Sequence, residues 1–142
     1  MRRLLSLLLL VVVCGCGGAK HAAPTAAPAP GPGPARFRVS LSAPTHTPRA
    51  GPAKWRYVVR ATTLAGRPLS GRLTVAVVDP LGTAHYAEVG TTRRKLRNYP
   101  FAGRYRDFAQ WPAASRGFRL TFRVTVRAPG GSRTVSYWVK PR

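Results

Sequence analysis

Acidic residues are nearly absent from this chain: Asp79, Glu88 and Asp107 are the only three in 142 residues. Chemistry that needs two carboxylates held close together has almost nothing to draw on. Asp79 precedes Pro80 in a turn-like stretch, where aspartate caps local backbone groups. Asp107 stands among Arg104, Arg106 and Arg116 and reads as an ion-pair partner, while Glu88 stands alone. Cysteine is as scarce, with Cys14 and Cys16 and none after them. That excludes a Cys-ligated structural zinc, a catalytic thiol and a disulfide in the body of the chain. Methionine occurs only at position 1, and the three histidines are scattered at His21, His46 and His85. A metal centre would rest on His46 and His85 alone, a poor donor set. No Gly-x-Ser-x-Gly elbow occurs, so no enzyme class and no cofactor is implied. No apolar run reaches the roughly 20 residues of a membrane-spanning helix.

The longest apolar run, Leu4 to Val13 with only Ser6 interrupting, follows Arg2 and Arg3 and ends at Val13-Cys14-Gly15-Cys16. A charged start, a short apolar core and small residues at its end make a secretory signal peptide. The four residues at its close resemble the bacterial lipobox, in which an aliphatic residue and a small one precede a cysteine that is acylated. The resemblance implies a signal peptide over 1–15 and a lipidated Cys16 on the extracytoplasmic face of the cell membrane. Cleavage after Ala19 or Ala23, releasing a soluble protein, is the alternative. Residues 17–35 hold five Pro, four Gly and seven Ala. Such a stretch has nothing to bury, and its prolines favour a semi-stiff polyproline spacer rising about 3 Å per residue. Residues 16–35 therefore read as the lipidated cysteine and its linker.

Residues 36–142 are enough for one small domain, and their apolar period is two. Phe37, Val39 and Leu41 alternate with polar residues, as do Trp55, Tyr57, Val59 and Ala61, and then Leu73, Val75 and Val77. Phe118, Leu120, Phe122, Val124 and Val126 alternate with Arg119, Thr121, Arg123, Thr125 and Arg127, and Val135, Tyr137 and Val139 close the chain. Trp138 has the opposite parity and is expected outside. Gly and Pro clusters separate the runs, and Pro129-Gly130-Gly131-Ser132 reads as a hairpin turn. Weaker strands are expected near Thr83 to Val89 and Gly103 to Ala109. About seven short strands without a helix predict an all-β, Ig-like antiparallel sandwich.

Gly66-Arg67-Pro68-Leu69-Ser70-Gly71, Asp79-Pro80 and Gly103-Arg104-Tyr105 together resemble bacterial Ig-like domains of the YtkA-like type, over roughly Lys54 to Lys140. The run Gly103 to Arg119, with Asp107, Trp111-Pro112 and Ser115-Arg116-Gly117, is similar to lipid-anchored or secreted proteins of high-GC Gram-positive bacteria. The resemblance implies an extracytoplasmic Ig-like fold. Some members of the wider group act in copper handling, so an accessory copper-delivery domain is the second functional expectation, with His46 and His85 as its test.

What the chain has in abundance is arginine. Lys plus Arg number 24, for a formal net charge of +21. Loss of Arg2 and Arg3 with a signal peptide leaves 22 against three acids, a formal +19. Two groups are candidate anion-binding residues. Arg93, Arg94, Lys95 and Arg97 lie in a basic, aromatic-flanked stretch read as a loop. Arg119, Arg123 and Arg127 share one strand face, which Arg56 and Arg60 would join if they lie on the same sheet. Export argues against nucleic acid as the partner. The partners that fit are the membrane through the lipid anchor, and anionic envelope polymers, lipid headgroups or an acidic protein. A GC-rich genome also enriches Arg, and outward strand arginines discourage edge pairing without any ligand. The sequence therefore predicts a basic, non-enzymatic, membrane-anchored binding or structural domain, against the bland alternative of a solvated cationic surface.

Overall fold

A computed structural model describes residues 36–142. The expected signal peptide over 1–15, and Cys16 with the expected linker over 16–35, lie outside the described residues. The described chain is an antiparallel β-sandwich. Its strands are β1 (Phe37–Ser42), β2 (Trp55–Thr63), β3 (Ser70–Val78), β4 (Ala84–Tyr86), β5 (Glu88–Val89), β6 (Arg94–Lys95), β7 (Tyr99–Ala102), β8 (Arg104–Ala109), β9 (Leu120–Ala128) and β10 (Gly131–Val139). One sheet runs β1-β2-β8-β5-β6; the other runs β10-β9-β3-β4, with β7 also paired to β3. Taking β8 as strand E and β9 and β10 as F and G gives the A-B-E-D and C-F-G order of the immunoglobulin fold. The expectation of about seven strands becomes ten because the stretch between β3 and β8 contributes four short ones. A single 3-10 turn, Ala113–Ser115, interrupts the crossing from β8 to β9.

Alternation builds the core. On β2, Trp55, Tyr57, Val59 and Ala61 are buried; on β9, Leu120, Phe122, Val124 and Val126 are buried. Antibody domains tie strands B and F with a disulfide. Here the tie is aromatic: the Phe122 ring lies 4.8 Å from Tyr57 and 5.1 Å from Trp55, both edge-on. Phe118 departs from the expected run. The strand begins at Leu120, so Phe118 remains in the crossing loop, more than half exposed. Trp138 faces outward as its parity requires, with the Arg119 guanidinium 5.1 Å from its ring. Pro129-Gly130 turns β9 into β10, with Ala128 paired to Gly131 and Gly130 at φ +96°, a conformation that suits glycine at the third position of a type II turn.

The two motif stretches of the Ig-like resemblance meet in space. Gly103, at φ +61°, packs so tightly that a Cβ there would stand 2.7 Å from Pro68 Cβ. Its N–H donates to Leu69 O, and its carbonyl accepts from Ala61 N–H. The Gly-x-Pro turn between β2 and β3 is thus locked onto the start of β8.

Both open sides of the sandwich are sealed. On one side the tail after β10 pairs with the β1–β2 connection, Lys140 N–H donating to His46 O and Arg142 N–H to Pro48 O. Arg133 Nη1 donates to Phe37 O, tying β10 to β1. On the other side residues 84–102 pass from one sheet to the other and back. β4 and β7 take the two ends of the β3 edge, and between them Val75 N–H donates to Leu96 O. The stretch expected as a free basic loop is therefore the wall that covers an edge. Leu96, in its middle, is fully buried.

Candidate anion-binding face

Once the inward positions of β1, β2 and β8 are spent on the core, the outward ones are left with arginine. Arg38 stands on β1, Arg56 and Arg60 on β2, and Arg104 and Arg106 on β8. All five are exposed. Register sets Arg60 directly opposite Arg104, Arg106 opposite Val58, and Arg56 opposite Phe108. Val58 and Phe108 are half-buried between them, and the Lys54 ammonium sits 4.9 Å from the Phe108 ring centre. None of the three acids occupies an outward position of these strands. The Arg104 guanidinium is held below the usual arginine range, first by desolvation and then by the charges of Arg106 and Arg60.

The two groups singled out from sequence do not come together. Arg94 points inward: its Nη2 donates to Asp107 Oδ2 at 3.1 Å and to the Tyr105 hydroxyl at 2.9 Å, and its guanidinium lies 5.1 Å from the Tyr99 ring centre. The hydrogen bond to Asp107, then that to Tyr105, holds Arg94 above the usual arginine range. Asp107 Oδ2 also accepts the Tyr105 hydroxyl at 2.6 Å. Arg94, rather than Arg104, Arg106 or Arg116, is thus the ion-pair partner of Asp107. Arg93 lies 3.5 Å from Glu88, Lys95 pairs with Glu88 across β5–β6, and Arg97 stacks over Tyr86 at 5.4 Å. A run of four cations is scattered because buried Leu96 and inward Arg94 turn its members to different sides.

Arg123 and Arg127 do share the outer face of the second sheet, interleaved with Thr121 and Thr125 as expected. Their neighbour is Arg72, opposite Arg127, and Arg119 precedes the strand. Arg56 and Arg60 belong to the other sheet, so the expected joint face does not form; the two sheets carry separate cationic surfaces. The second is more dilute, with Ser132, Thr134 and Ser136 filling the outward positions of β10 opposite it. Period two already turned Arg56 and Arg60 outward. Their grouping with Arg104 and Arg106 depended on the pairing of β2 with β8, which no local pattern carries.

No family model matches the chain, and no curated protein matches it in sequence. Among solved structures it is similar to a DUF4466 family protein from Parabacteroides merdae, at 12% identity and a TM-score of 0.42. The match covers 76% of this chain and 44% of that protein, so the chain spans less than half of its length.

The acids and histidines are occupied elsewhere. Asp79 Oδ1 accepts the Leu81 and Thr83 N–H groups, and Oδ2 lies 3.0 Å from His85 Nε2. The His85 hydrogen bond, then the backbone ones, holds the Asp79 carboxyl below the usual range. The His46 ring stacks on Tyr137 and Trp138 at 4.0 Å each. His46 packs at the β10 edge and His85 on β4, at opposite edges of one four-strand row, roughly 14 Å apart by strand spacing. Among the described residues no three His, Cys, Asp or Glu side chains gather.

Beside this network the Tyr57 hydroxyl is buried without a hydrogen-bond partner among the described residues. Burial first, then the Tyr105 and Asp107 charges, pushes its pKa far up. Burial and the Asp107 hydrogen bond do the same for Tyr105. Both folded pKa values lie above the unfolded value of about 10, so their contribution to stability is complete below pH ~10 and is lost as pH rises past it. Tyr57→Phe is expected to raise stability at neutral pH by about 1 kcal/mol, since it removes an unsatisfied hydroxyl. It should also flatten the alkaline loss; urea titrations from pH 7 to about 11 check both. A loss of stability at neutral pH would show that the hydroxyl has a partner.

Proposed function

We propose that the chain is a non-enzymatic, lipid-anchored extracytoplasmic protein whose basic Ig-like domain binds anionic components of the cell envelope. One observation carries this reading: five arginines stand on the outward positions of three adjacent strands, none of those positions holds an acid, and the one outward acid of the sheet, Glu88, lies beyond them on β5. Arg60 directly opposite Arg104 is unfavourable for the fold taken alone; an anionic ligand relieves it. The sequence supports the location through the signal-like start and Cys16. More than one buried acyl chain gives durable attachment, and the Pro/Ala spacer leaves the domain reach above the membrane. Each of the three acids has a basic neighbour, Asp107 with Arg94, Glu88 with Arg93 and Asp79 with His85.

Cell fractionation tests the anchor. The native protein is expected in the membrane fraction through a wash of about 1 M salt, which screens charge contacts. The Cys16→Ser variant is expected in the soluble fraction under the same wash. Retention of Cys16→Ser in the salt-washed membrane would contradict lipid anchoring.

A further inference from the structure

The five arginines of the first sheet do not converge on a point. Counted along β2 from Arg56, register places Arg106 two residues further, Arg60 with Arg104 four residues further, and Arg38 six residues further, opposite Thr62. At about 3.3 Å per residue that is one cationic rung every ~7 Å over ~20 Å. The track is two to three strands wide, about 10 Å, with Ser40 and Ser42 as its uncharged margin on β1. Two shallow depressions lie along it, one bordered by Lys54, Arg56, Arg104 and Arg106 with Asp107 also in its lining, the other by Arg38, Arg60 and Arg133.

We infer that this face is a binding track for a linear polyanion, a chain along which phosphate or carboxylate groups recur. The inference rests on the envelope-binding reading above and narrows it to a polymer. A single anion engages one rung, because a guanidinium fork grips one oxyanion at a time. A chain engages successive rungs, and each later contact is intramolecular. A bilayer spreads its charge in a plane, whereas adjacent strands turn by about 20–25° and twist the track out of any plane. A flexible chain follows that twist. The rungs are exposed and hold nothing in the core, so the track is separable from the fold.

The test uses the full-length chain carrying Cys16→Ser, which removes the anchor and the need for detergent, with three probes: orthophosphate, linear inorganic polyphosphates of increasing length, and vesicles of phosphatidylglycerol in phosphatidylcholine. Affinity is expected to climb with polyphosphate length until the chain spans the track, with orthophosphate far weaker. The double variant Arg60→Gln with Arg104→Gln should weaken polyphosphate binding about tenfold or more at low salt and make the log–log salt slope shallower by about 1 to 2. The same variant should unfold at a slightly higher temperature, because an opposed like-charge pair is gone. Arg123→Gln with Arg127→Gln, on the other sheet, should change binding much less. Affinity independent of chain length, or equal loss in both double variants, would overturn the track. Tight vesicle binding without polyphosphate binding would overturn the polymer and leave envelope binding standing; binding to neither would overturn both.

Discussion

Phe122→Ala is expected to remove about 4 kcal/mol of stability and to lower the melting temperature by roughly 20 °C. Phe122 is fully buried on β9, in the middle of the second sheet. Its ring meets Tyr57 and Trp55 from the first sheet and Trp111 from the crossing loop, at 4.8, 5.1 and 6.3 Å. Truncation opens a cavity where four rings meet, and large aromatic walls close such a space poorly. No disulfide backs up this contact, because the sequence has no cysteine after Cys16. A domain of this size has roughly 5–15 kcal/mol in all, so the variant loses a large fraction of its reserve. Phe122→Leu, which keeps most of the volume, should cost only about 1 kcal/mol. Urea unfolding of the two variants beside the native chain measures the difference. A loss below about 1 kcal/mol for Phe122→Ala would mean that the sheets are held together elsewhere.

Asp107→Ala is expected to cost about 2–3 kcal/mol, with local consequences that identify its cause. The Asp107 side chain is only 8% exposed, and it accepts from Arg94, the Tyr105 hydroxyl and the Phe108 N–H. Removal strands a guanidinium and a buried hydroxyl in the open side of the sandwich. Arg94 is 45% exposed and can swing to water, which keeps the loss below that of a fully buried pair. The same change frees β6 from β8, so amide exchange should quicken over residues 90–99 while β9 keeps its protection. Arg94→Gln should show the same pattern at about half the cost and leave polyanion binding nearly unchanged, since Arg94 supports the wall and is turned away from the track. Uniform loss of protection, or strong loss of binding in Arg94→Gln, would contradict that assignment.

The sandwich was legible because period-two alternation over 55–62, 73–77 and 120–126 is a local property of the chain. The β9–β10 hairpin was legible for the same reason, since Pro129-Gly130 dictates a tight turn wherever it stands. The weak strand expected near Thr83 to Val89 forms as two, β4 and β5, but residues 90–102 and the crossing between sheets were not legible. Their strands are two to four residues long, too short for any period, and they exist because the β3 edge needs partners. Arg94 illustrates the consequence: beside Arg93 and Lys95 it reads as one cation in a solvated run, and only the inward turn of Leu96 and the nearness of Asp107 make it structural. The basic face was half legible. Arg56 and Arg60 were placed outside by parity, but their true neighbours, Arg104 and Arg106, lie more than forty residues on in sequence. Charge density on a sheet is a property of pairing, and pairing is non-local.

Co-sedimentation with cell-envelope material across a salt series tests the central claim most directly. Three forms are compared, each carrying Cys16→Ser so that no acyl chain holds it to membrane: one otherwise unchanged, one with Arg56→Gln/Arg60→Gln/Arg104→Gln/Arg106→Gln, and one with the second-sheet set Arg72→Gln/Arg123→Gln/Arg127→Gln. Binding of the form with all its arginines is expected to fall steeply as salt rises. It should collapse at low salt in the first variant and persist in the second. Equal retention in all three forms, or equal loss in the two variants, would contradict a dedicated face on the first sheet and leave the positive charge as a general property of the surface.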